Sequence, residues 1–159
     1  MIKRVLITIA LILINLPTLA DEQLQRLEKI SEQMNQIMFN AMLREVEANG
    51  VDITRLKTLI PDVRWDQPLR EAYACVLKKY EEKIGSESID RMLDKTEALL
   101  PKLSSGGIDT ITETEMLLPK GISQEQATQY SNECGVMQIM MENSMSNDFV
   151  SEIMKLSKD

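Results

Sequence analysis

Sulfur is the chemistry that this chain presents in a pattern. It carries eleven methionines in 159 residues, and only Met1 lies within the first twenty. Met34, Met38 and Met42 stand at i, i+4 and i+8, and Met137, Met141 and Met145 repeat that spacing late in the chain. Residues four apart share one face of a helix, so each set defines a strip of thioethers. Cys134 extends the second strip by one further turn. Three uses fit such strips. Methionine is a good helix former that fills irregular gaps in a core. Its flexible side chain also makes an adaptable surface for a protein partner or an apolar ligand. Finally, thioethers together with a thiolate suit Cu(I), a soft ion with soft donors.

Other chemistries are thinner. The chain has no histidine, which removes Ser-His-Asp and Cys-His nucleophiles and any zinc site built with imidazole. A carboxylate pair acting on a glycosidic bond needs no histidine. Sugar clefts, however, use aromatic platforms, and this chain has one Trp, three Tyr and two Phe. Glu133, beside Cys134, is the carboxylate nearest to an apolar setting of the kind that raises a pKa. The arginines 26, 44, 55, 64, 70 and 91 are scattered. The run from Asp109, "DTITETE", alternates oxygen ligands but lacks the mid-loop glycine of a calcium-binding EF-hand. Gly106-Gly107 is a break, not a phosphate-cradling loop. The expectation is a non-enzymatic protein without a cofactor that acts by binding. A protein partner is favoured, as for an adaptor, a chaperone-like factor or an immunity protein that neutralises a toxin. The alternatives kept are an apolar ligand or Cu(I) on the methionine faces, and a small helical enzyme without histidine.

The first twenty residues bear on where this happens. Lys3 and Arg4 form a basic start, Val5 to Leu16 is apolar except for Asn15, Pro17 breaks the run, and Thr18-Leu19-Ala20 offers small residues for cleavage before Asp21. The apolar run is about a dozen residues, short of the ~20 that span a bilayer. Residues 1–20 are therefore expected to be a cleaved signal peptide, leaving 21–159 as one helical domain in the periplasm, or secreted, with no further membrane-spanning stretch. The whole chain has 18 basic and 25 acidic residues, a net of −7 that becomes −9 once Lys3 and Arg4 are gone. Such a charge argues against nucleic acid and anionic membranes as partners. In an oxidising compartment the two cysteines, Cys75 and Cys134, most simply pair. Free thiols or a metal pair stay open.

Helical periodicity sets the elements that would position these groups. From Glu22 to Ala48, Leu24, Leu27, Ile30, Met34, Ile37, Met42 and Val46 recur at spacings near three and four, and Asn49-Gly50 closes the helix. It would be about 40 Å long. Asp52 caps a short helix to Ile60, closed by Pro61. After a loop with Trp65, Asp66 caps a helix with Pro68 in its first turn; it buries Leu69, Ala72, Tyr73, Val76 and Tyr80 and ends at Gly85. Ser86 or Ser88 starts the next, with Ile89, Met92, Leu93, Thr96, Leu99, Leu100 and Leu103 on one side, and Pro101 is expected to kink or stop it near Leu100. Residues 104–121 read as a loop with a short helix. Ser123 and Gln126 form a capping box for a helix whose face runs Ala127, Tyr130, Cys134, Met137, Met141. A last short helix from about Asn147 carries Phe149, Val150, Ile153 and Leu156. The expected fold is all-α, a small irregular bundle of four main helices plus short ones, joined by one disulfide.

Overall fold

The computed structural model describes residues 19–106, 118–145 and 148–156. The leader-type segment before Leu19, the Asp109 run and the short helix expected near it lie outside the described residues. Among the described residues seven helices follow one another: α1 (Leu19–Ala48), α2 (Thr54–Thr58), α3 (Gln67–Ile84), α4 (Ser86–Gly106), α5 (Gln124–Glu133), α6 (Val136–Met145) and α7 (Asp148–Leu156). The protein is an all-α bundle. Among the described residues no helix is long and apolar enough to cross a membrane.

Two apolar clusters share α1 as their common wall. The first joins Leu24 and Ile30 of α1 to Ala72, Val76, Leu77 and Tyr80 of α3, to Ile89, Met92 and Leu93 of α4, and to Val136 at the start of α6. The second lies at the other end of α1, where Phe39 and Leu43 meet Ile53, Leu56 and Phe149. There the Phe39 and Phe149 rings pack edge to face, 5.1 Å apart at 84°, a geometry that sets a positive ring edge on a negative face. The length of α1 is what allows one helix to serve both ends.

Local chemistry sets the corners. The Asp66 carboxylate accepts from the Leu69 amide at 2.9 Å, capping α3. Gly85 has φ +77, so the chain leaves α3 and enters α4 at Ser86 across a single residue. The buried amide of Gln23 ties α1 to that corner: it donates to the Ser86 carbonyl, the Ser86 hydroxyl and the Asp90 carboxylate at 3.1, 2.7 and 2.9 Å. Beside it, Arg26 bonds Asp94 and Glu97 of α4, and these acids raise its pKa.

Three expectations need correction. Asp52 does not cap α2: Ile53 holds the N-cap position without a side-chain bond, Asp52 accepts instead from the Thr54 amide and hydroxyl at 2.9 and 2.6 Å, and the helix ends at Thr58, short of Ile60. Helix α4 does not stop at Leu100 but runs through Pro101 to Gly106. Proline removes one backbone donor, while Leu100 and Leu103 on either side of it are buried; continuing the helix keeps both in the core. The helix begun at Ser123 is also not continuous. Cys134 ends α5, Gly135 takes φ +79, and α6 begins at Val136. The capping box at its start is present as expected, with Ser123 and Gln126 bonded reciprocally at 3.1 and 3.2 Å.

Candidate functional site

Cys75 of α3 and Cys134 at the end of α5 form a disulfide, with Cα atoms 5.8 Å apart, inside the usual range. It fastens the α5–α6 corner to α3. On chain entropy, closing a loop with a sequence separation of 59 stabilises by about 4 kcal/mol. The break at Gly135 also means that Cys134 does not extend the methionine strip, contrary to the spacing argument. Its sulfur is bonded to Cys75 and is no thiolate donor, which leaves a Cu(I) site with thioethers alone.

From this anchored corner α6 packs against α3 and α5 and presents two faces. Val136 is buried and Ile139 is half-buried against the first core. The flank of the helix turned outward holds Met137, Met140 and Met141, which are 44, 47 and 54 % exposed. These are three of the four large apolar side chains most exposed among the described residues. The i, i+4 rule located Met137 and Met141; Met140, at i+3 from Met137, belongs to the same flank and was missed. The Met145 side chain lies outside the described residues. The early set has a different placement. Met34 packs against the first core, and Met38 and Met42 pack against the second, all three half-buried.

The exposed flank continues onto aromatic surface. The Tyr73 hydroxyl donates to the Met140 sulfur at 3.8 Å. Tyr73 in turn stacks on Trp65, with ring centroids 4.2 Å apart and planes 12° from parallel. The indole N–H of Trp65 donates to the Ser31 hydroxyl at 3.2 Å, which fixes the ring against α1. Burial raises the Tyr73 pKa.

Beyond Trp65 the surface turns acidic. A groove of about 610 Å³ is lined by Glu28 and Glu32 of α1, Asp62, Arg64 and Asp66 of the loop before α3, and Asn143 of α6. Arg64 pairs with Asp62 and holds its carboxyl down to about 2, and Arg70 pairs with Glu28. Glu133 sits apart from this face. Far from being raised by apolar surroundings, its pKa is lowered, because it accepts from Lys79 and from Gln129, each at 2.7 Å. Comparison with families of known proteins, with curated proteins and with solved structures finds no match.

Proposed function

We propose that this is an exported, non-enzymatic binding protein that docks a protein partner on the methionine flank of α6. The observation that carries the reading is the grouping of Met137, Met140 and Met141 on one exposed helix flank, continuous with Tyr73 and Trp65. Methionine surfaces repack around varied shapes, and aromatic side chains concentrate binding energy at interfaces. The disulfide supports the reading by holding the corner of α6 in place before a partner arrives, which lowers the ordering cost of association. The pairing of Cys75 with Cys134, together with the basic-apolar-small pattern of residues 1–20, supports work outside the cytoplasm, in the periplasm. An adaptor, a chaperone-like factor or an immunity protein would each use such a face.

The test is capture from cell-envelope extract with the oxidised protein as bait. The wild-type protein recovers one partner in a stoichiometric amount. The triple variant Met137→Gln, Met140→Gln, Met141→Gln, checked for unchanged helicity by circular dichroism, recovers less than a tenth as much. Equal recovery by both baits overturns the assignment of the face.

A further inference from the structure

A second feature adjoins the methionine flank, with which it shares Tyr73 and Trp65. A chamber of about 300 Å³ opens between α1, α3 and α5. Three aromatic residues line it, Trp65, Tyr73 and Tyr80, with three small polar ones, Ser31, Asn35 and Ser131; the other described lining residues are aliphatic or methionine. None of its described lining residues is charged. Ligand pockets have this make-up: mostly apolar walls, with a few polar groups that set orientation.

We infer that this chamber binds a small neutral molecule carrying two or three aromatic rings and one hydrogen-bonding group. Size and charge define that class. An apolar cavity of about 150 Å³ takes one benzene ring, so this chamber has room for roughly twice that. An anion would leave water without meeting a cationic side chain among the described walls, in a protein whose net charge is −7. A cation would need aromatic faces spread around it. Here Trp65 and Tyr73 are instead stacked on each other, 12° from parallel. Flat rings extend such a stack, and the amide of Asn35 or the hydroxyl of Ser131 can bond one polar group of the ligand.

Trp65 is the sole tryptophan of the chain and lines the chamber, so its emission reports occupancy directly. Two dyes share one ring skeleton: N-phenyl-1-naphthylamine is neutral, and 8-anilino-1-naphthalenesulfonate adds a fixed negative charge. The neutral dye is expected to bind one to one and quench Trp65 by energy transfer, at least ten-fold more tightly than the sulfonate. Ser131→Phe, which fills the chamber from α5, weakens that binding ten-fold or more with helicity unchanged. Absence of Trp65 quenching at one equivalent overturns the inference without need of any variant. Equal affinity for the two dyes overturns it as well. So does binding that survives Ser131→Phe but is lost in Met141→Gln, since the dye would then sit on the α6 surface.

Discussion

Tyr73 is the residue at which the features of this surface meet: its hydroxyl touches Met140, its ring carries Trp65, and its backbone belongs to the helix that holds Cys75. Burial raises its pKa above the ordinary value of 10.0, and Tyr80, buried nearby, is raised for the same reason and by the neighbouring Tyr73 and Tyr130. The unfolded chain releases these protons near the ordinary value while the folded chain keeps them. The contribution to stability is therefore complete below pH ~10 and is lost as pH rises through the folded values. Urea midpoints should fall as the pH rises above about 10, and Tyr73→Phe should reduce the slope. An unchanged slope in Tyr73→Phe would show that its phenol is solvated in the folded state. What could be read at this scale from sequence was uneven. Met137 and Met141 are legible from spacing because four residues make about one turn. The Tyr73–Trp65 stack is not, since it joins a helix to a loop across a turn whose shape no periodicity encodes. The buried Gln23, bonded three times at the α3–α4 corner, escaped for the same reason.

Among the elements, the break between α5 and α6 is the one that matters to function. A continuous helix would carry Cys134 and the methionines on one face; the turn at Gly135 instead points α6 back along α3 while the disulfide stays beneath it. A Cβ at Gly135 would meet nothing within 4 Å, so a side chain there costs only backbone strain at φ +79. Gly135→Ala is expected to destabilise the fold by about 1–2 kcal/mol, read as a lower urea midpoint with unchanged m-value. A neutral effect would mean that the corner is held by the disulfide alone. The glycine stands in the sequence, but the apolar spacing on either side of it reads as one uninterrupted helix. The opposite error befell Pro101, where the breaker was trusted and the buried Leu100 and Leu103 prevailed. Breakers decide an element boundary only when no buried side chains are lost by obeying them. Asp66 and Ser123 cap where the sequence places them, because a cap is a contact between residues three apart, whereas Asp52 bonds Thr54 two residues on and leaves Ile53 at the N-cap of α2.

The whole molecule is a long helix clad at one end by α3, α4 and the α5–α6 corner, and at the other by α2 and α7. Helical class, the disulfide and most core positions follow from period and composition, which are local. The division into two cores does not, because it depends on where the chain returns to α1. The same packing sorts the methionines into those that fill and those that face outward: Met34, Met38 and Met42 complete cores, while Met137, Met140 and Met141 do not. Peroxide oxidation read residue by residue with mass spectrometry tests that division, since thioether oxidation follows exposure. In the purified protein Met137, Met140 and Met141 should oxidise well before the buried Met92, with Met42 as an internal reference for dose. Adding native envelope extract should slow the three α6 methionines relative to Met42 by several-fold. Unchanged relative rates would contradict a partner on that face.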